Sequence, residues 1–399
     1  MLLDKNVRTC MNCRTVNLKN IDIVKIIICL FFIADFLQQF VLTSGYILAF
    51  SFFKYVGAGL SILYWLSYRK IKAKTLLMEG VLGLLLLYTS VVSHNFSYFI
   101  IFCMIIISKK YTIEEYIAFT SKCIVTEIFI AFCLWAISTI VDIGIPFFYN
   151  VAEKRVSFGL GHPNLLAMKV IWVTFAYLLL SNKRDIQKRI LVCFMIQSLF
   201  AFLTDSATFI FGLLSIILYS LKQNRAVSAC LNNIAKWIFP LTSGFIYTVA
   251  YYHNYGTNSF LVQLSSVVDY LSNFRISMAA LAIRQNGLTF LGDVVNYEHK
   301  WDELYRFGNF TIDTLYVYFF VSIGIFYLFA ISYMFWKLSK YKNVDISLSI
   351  ILFALSGLAE LSVIYITTCF VLSYLKIFIF KDEDPRRLFS GRYLLNEVH

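Results

Sequence analysis

Apolar residues in this chain come in long, nearly unbroken runs, without the alternation of a half-buried strand or the narrow stripe of a soluble surface helix. The runs fall at 23–41, 46–68, 75–93, 96–108, 116–140, 164–181, 190–203, 207–221, 234–252, 312–336, 345–359 and 361–380. Most approach the ~20 residues that carry an α-helix across the hydrocarbon of a bilayer. Backbone in lipid must satisfy its own hydrogen bonds, so runs of this kind predict helices. About twelve crossings are expected, and the short runs at 96–108, 190–203 and 345–359 suit tight hairpins or partial crossings. The predicted fold class is an all-α polytopic integral membrane protein. Its single multi-helix membrane domain covers 23–380, with polar tails at 1–22 and 381–399.

Composition removes the main alternative. Of 399 residues, 59% are hydrophobic, 18% aromatic and only 15% charged, against roughly 25% charged in soluble domains. Twelve crossings at ~20 residues each use about 240 residues, which leaves no room for a large soluble domain. The first residues are polar and basic and the apolar run behind them is long, so a cleaved signal peptide is not expected. Cys10 and Cys13 form one C-x-x-C without the second pair a structural zinc site needs. The long polar loops contain no cysteine, so no disulfide is expected to hold them.

The net charge of +12 sits in short basic clusters between apolar runs, which argues for membrane orientation and against nucleic acid. Basic residues concentrate on the cytoplasmic side of a membrane protein. Here the segment Arg69 to Lys74, then Lys109-Lys110, Lys183-Arg184 with Lys188-Arg189, Lys222 with Arg225, and Lys337, Lys340 and Lys342 fall in alternate loops. The turns at 43–45, 94–95 and 204–206 have no Lys or Arg. Both termini are therefore expected in the cytoplasm. Two outer segments then exceed a turn, 141–163 and 253–311, and they hold the only outside basic residues: Lys154, Arg155, Arg275, Arg284, Lys300 and Arg306. Arginines kept outside against the trend need a reason. The pattern from 259 to 281 is apolar and near-helical, so part of the longer loop is expected to lie as helix across the outer face.

The densest chemistry lies in Arg155-Val156-Ser157-Phe158-Gly159-Leu160-Gly161-His162-Pro163-Asn164. Pro163 suits the first turn of a helix and places His162 at its N-cap, with the glycines permitting close backbone approach. A helix N-terminus beside Arg155 would favour a phosphate, although a helix-entry turn with an interfacial histidine reads equally well. Arg275 offers a planar fork matched to phosphate oxygens, or it snorkels to lipid headgroups, as Arg284 is expected to do. Asp313 could take a proton or hold a sugar hydroxyl, and it equally complements a helix dipole beside Thr311. Asp205, in Thr204-Asp205-Ser206, reads as a site turn or as a hairpin cap. Asp35, Lys54, Glu79, Glu127, Lys169 and Glu360 lie in or between apolar runs, where ionisable residues are costly and are paired or functional. Glu79, with Lys25 and Lys122, is expected to snorkel at a cytoplasmic end, whereas Glu360 at the last break is the best site candidate of this set. Asp382-Glu383-Asp384 has the D-x-D form of a metal–nucleotide-sugar site, but no domain surrounds it.

Residues 155–164 resemble the R-x-S-x-G-x-x-H-P-N signature of bacterial polysaccharide repeat-unit polymerases in the O-antigen polymerase and ligase superfamily. Asp205-Ser206, Arg275 followed by Phe290-Leu291-Gly292, and Ile312-Asp313-x-x-Tyr316 leading to Gly324 follow in the family's order. One position departs: Ala207 stands where an arginine often follows the Asp-Ser pair. The resemblance implies a GT-C-like membrane glycosyltransferase in the bacterial cytoplasmic membrane, inverting and without a metal or other cofactor. Its donor would be a glycan on undecaprenyl pyrophosphate and its acceptor one lipid-linked repeat unit. Arg155 and Arg275 would grip the leaving diphosphate, with His162 as base and Asp313 the second choice. Asn164, Tyr316, Asp205 and Glu360 would orient sugars or supporting side chains. The lipid bilayer, a flippase and a chain-length regulator are the implied partners. A ligase of the same superfamily stays open. A lipid-linked oligosaccharide flippase or other transporter is less favoured, because no internal repeat relates the halves.

Overall fold

The computed structural model describes residues 22–40, 47–67, 73–141, 145, 155–181, 185–296 and 312–379. The tails, the 43–45 turn, the basic stretch 69–72, Lys154, Lys183, Arg184, Lys300, Arg306, Thr311 and the D-x-D triplet lie outside the described residues. Among the described residues the regular structure is helical and no β-strand occurs. The helices are α1 Ile23–Gln39, α2 Ile47–Ser67, α3 Ala73–Val92, α4 Ser97–Ile107, α5 Ile113–Val141, α6 Pro163–Leu179, α7 Ile186–Thr204, α8 Phe209–Leu221, α9 Arg225–Tyr255, α10 Ser259–Leu271, α11 Arg275–Asn286, α12 Leu315–Tyr318, α13 Ile325–Ser339, α14 Val344–Ala359 and α15 Lys376–Ile379. Segments within them, Ala49–Ser67, Ile113–Val141 and Ile186–Thr204, are long and apolar enough to cross a membrane. The surface agrees. Phe202, Ile140 and Leu77 are 85%, 84% and 69% exposed, an outward apolar face that water would penalise and lipid would not.

Short polar residues start the helices where the chain leaves its turns. The side chains of Asp22, Asn224, Asn258 and Asn343 each accept a backbone N–H from the first turn of α1, α9, α10 and α14, satisfying donors that a helix start leaves open. α9 packs against α13 and α14, and α1 against α2. Phe239 of α9 meets Phe335 of α13 and Phe353 of α14 with ring centroids 5.4 and 5.8 Å away.

Two predicted crossings are not continuous helices. The run at 312–336 passes from α12 through one π-helical turn, Phe319–Ile323, and breaks at Gly324. Gly324 has φ +113°, and a Cβ there would stand 2.4 Å from the Phe290 carbonyl oxygen, so only glycine fits. Residues 289–293 dock into this break: the Thr289 amide donates to Phe320 O at 2.8 Å and the Ile325 amide to Thr289 O at 2.9 Å. The run at 361–380 forms two 3-10 turns, Leu361–Ile364 and Val371–Leu375, before the short α15. Its apolarity forecasts burial, and it is buried, but inside protein, where irregular backbone finds partners. Lys376 Nζ donates to the Tyr111 carbonyl at 2.7 Å, and Thr367 Oγ1 to Asp35 Oδ2 at 3.0 Å. Glu79 does not snorkel either. It is fully buried and accepts the Trp65 indole N–H.

Candidate functional site

The segment from Arg155 is fastened at both ends before it enters α6. Its Val156 amide donates to the Leu203 carbonyl at 3.0 Å, and its Gly161 amide to Gln39 O at 2.8 Å. Between them Phe158 and Gly159 take φ of +51° and +80°. A Cβ at Gly159 would meet Phe40 and Ile145 at 2.9 Å, so this glycine supplies both the left-handed turn and the close approach. Pro163 then opens α6 with His162 as its N-cap, the ring Nδ1 accepting the Asn164 amide at 3.1 Å. A neutral imidazole with Nδ1 occupied in this way carries its proton on Nε2.

Arg155 is positioned by the turn between α7 and α8. Its Nε donates to Thr204 O at 3.0 Å and its Nη2 to Asn164 Oδ1 at 2.6 Å, and Ser206 Oγ donates to the same Asn164 oxygen at 3.0 Å. Asp205 closes α7 in the left-handed region, φ +46°, which a short polar residue tolerates best after glycine.

Arg275 is the first residue of α11. Asn273 and Phe274 before it both have positive φ, and the strained corner is tied down by Asp269, whose Oδ1 accepts the Ser277 amide at 2.7 Å and whose Oδ2 accepts the Ser277 hydroxyl. His253 Nε2 lies 3.1 Å from that hydroxyl. With the serine in the middle and its proton given to Asp269, this trio locks α9, α10 and α11 and does not arm a nucleophile. The guanidinium of Arg275 donates through Nη1 to the Ala359 carbonyl. Two carboxylates stand farther off: Asp313 Oδ2 is 3.8 Å from Nε, and Glu360 Oε1 is 3.8 Å from Nη2. Those distances give Coulomb attraction without hydrogen bonds.

These pieces surround one cavity of about 750 Å³ whose lining includes Arg155, His162, Asn164, Asp205, Arg275 and Asp313. The same lining also has an apolar part, made by Ile210, Phe211, Val268, Leu271 and Leu358. The cavity lies at the N-terminal end of α8 and the C-terminal end of α14. Lys222 and Asp345 pair at 2.6 Å at the other ends of these two helices. Glu360, the C-cap of α14, stands beside this lining, and its carboxyl faces Arg275, Asp313, Asn164 and Arg155. Burial pushes that carboxyl up to about 7, against the pull of Arg275 and with a push from Asp313.

Seven of the eight sequence-predicted site residues are thus in or beside one cavity. Tyr316 is not. It is fully buried, its hydroxyl donates to Ala354 O at 2.7 Å, and its ring packs on Phe239, so it is a core residue of α12 and does not face the cavity. Phe290-Leu291-Gly292 and Gly324, which belong to separate motifs, meet each other in the docked break. Nothing in the pattern pairs Ser206 with Asn164 or Ser277 with Asp269, because such partners are chosen in space. Among the described residues no three His, Cys, Asp or Glu side chains converge as a metal site. No family model, curated protein or solved structure matches the chain.

Proposed function

We propose that this protein polymerises lipid-linked saccharide repeat units on the outer face of a bacterial cytoplasmic membrane, as an inverting, GT-C-like glycosyltransferase of about twelve crossings. The donor is a glycan on undecaprenyl pyrophosphate and the acceptor is one lipid-linked repeat. One observation carries the reading: two arginines 120 positions apart in the sequence line the same cavity with His162, Asn164 and Asp313. Two guanidinium forks beside an apolar wall suit a diphosphate with a hydrocarbon tail. Diphosphate is a good leaving group, so the main contribution of the cations is to stabilise the charge that builds as the sugar leaves. Asp313 exposes 45% of its side chain and holds Arg275 only at 3.8 Å, so an incoming diphosphate can take its place. His162, donating from Nε2, and Asn164 orient the sugars.

The test is incubation of the purified protein with a defined lipid-pyrophosphate-linked repeat, without added metal. A ladder of lengthening glycans is expected, absent with Arg275→Ala although that variant purifies and folds normally. A ladder that persists in Arg275→Ala, or none in the wild type, overturns the reading. A single transfer to a different acceptor assigns a ligase.

A further inference from the structure

Transfer also requires a group that takes the acceptor's proton, and four side chains at the cavity compete for that role, of which Asp205 is exposed at the turn between α7 and α8. His162 has committed Nδ1 to the Asn164 amide at 3.1 Å, so it can take a proton only by releasing the cap of α6. Asp313 exposes 45% of its side chain. Glu360 differs from these three. Its Oε1 is buried and accepts no hydrogen bond, held only by the looser attraction of Arg275 Nη2 at 3.8 Å.

The groups facing Glu360 explain how such a carboxyl is kept. Arg275 at the start of α11 lies 3.8 Å away, Asp313 shares the same guanidinium from the segment before α12, the Asn164 side chain of α6 hydrogen-bonds the carboxyl, and Arg155 of the preceding segment adds its charge. His162 is the remaining titratable group of the cavity lining on those elements. We propose that Glu360 is the general base of glycosyl transfer, its carboxylate receiving the proton of the acceptor hydroxyl. This rests on the transferase reading above. In the step, the hydroxyl oxygen forms the new bond to the anomeric carbon and its proton passes to Glu360. The bond from that carbon to the diphosphate oxygen breaks with its electron pair, which stays on the diphosphate between Arg275 and Arg155. The same arginine therefore faces both the base and the leaving group. A carboxyl pushed up to about 7 by burial has the strength such a base needs near neutral pH.

The experiment compares wild type, Glu360→Gln and Glu360→Asp in the purified ladder assay across pH 5.5 to 8.5, together with binding of undecaprenyl pyrophosphate alone. In wild type the rate rises with pH along a limb centred near 7. Glu360→Gln loses roughly 100-fold or more in rate and loses that limb, yet binds undecaprenyl pyrophosphate within about threefold of wild type. Glu360→Asp keeps a displaced limb with a partial rate. A Gln variant that retains rate and limb overturns the assignment, as does one whose rate loss is matched by lost binding. A wild type that makes no ladder removes the transferase reading and this role with it, whereas a ladder in wild type and an indifferent Glu360→Gln removes this role alone.

Discussion

Two clusters each set one cation between an aspartate and a glutamate, one among the helices and one at helix ends, and they are built to opposite ends. In the first, Lys169 of α6 is fully buried and donates to Glu127 of α5 at 2.6 Å, with Asp35 of α1 at 3.5 Å. Asp35 also accepts Thr367 and faces Lys54. In the second, Arg275 keeps 22% of its side chain exposed and meets Asp313 and Glu360 only at 3.8 Å, on the rim of a 750 Å³ cavity. The interior cluster turns its charges on each other, and the cavity cluster holds them apart. Close pairing removes a charge from further chemistry, because an opposing charge at hydrogen-bond distance must first be displaced by any ligand. Loose pairing in a cavity leaves that exchange open.

The comparison breaks most visibly if Lys169 is dispensable. Lys169→Met strands Glu127 and Asp35 with one cation fewer, and the expected loss is about 3–5 kcal/mol of stability, read as a lower unfolding midpoint and poor recovery in detergent. The double variant Glu127→Gln/Lys169→Met should recover most of it, since Asp35 retains Lys54 and Thr367. A double variant as unstable as the single one contradicts the pairing. Arg275→Lys should spare the fold and still lower the ladder rate by roughly tenfold or more, because a point charge lacks the bidentate fork. Near-wild-type rates would reduce Arg275 to a simple positive charge. The smallest effect concerns pH and stability. Glu360 in the folded protein holds its proton up to about 7, above the ordinary value of 4.5. Between those values the folded state binds more protons than the unfolded chain, so this group lowers stability as pH rises through the window. Glu360→Gln lacks this dependence, and its unfolding midpoint relative to wild type should climb from pH 5 to pH 8. A constant difference would show the carboxyl to be solvated.

Much of the helix plan is legible in the sequence. Pro163 announces the start of α6 and His162 its cap. These are local signals, in which the residue that needs a partner and the one that supplies it lie a few positions apart. The segment 361–380 departs from a continuous helix because apolarity reports burial without distinguishing lipid from protein. Once protein surrounds a backbone, 3-10 turns and side-chain partners can replace a helix. Tyr316 departs from its predicted place for a related reason: a motif position states which residue is present and not which way it points.

What the chain alone determined is therefore the solvent it wants and the starts of its helices, because hydropathy and capping act over a turn or two. Whether a charge became structural or available was decided only in three dimensions. Lys169 meets an aspartate 134 residues away, and Arg275 meets the carbonyl of a residue 84 positions on. No pattern within a window can specify a Coulomb partner at that separation. Packing chose which carboxylates came to 2.6 Å and which stopped at 3.8 Å.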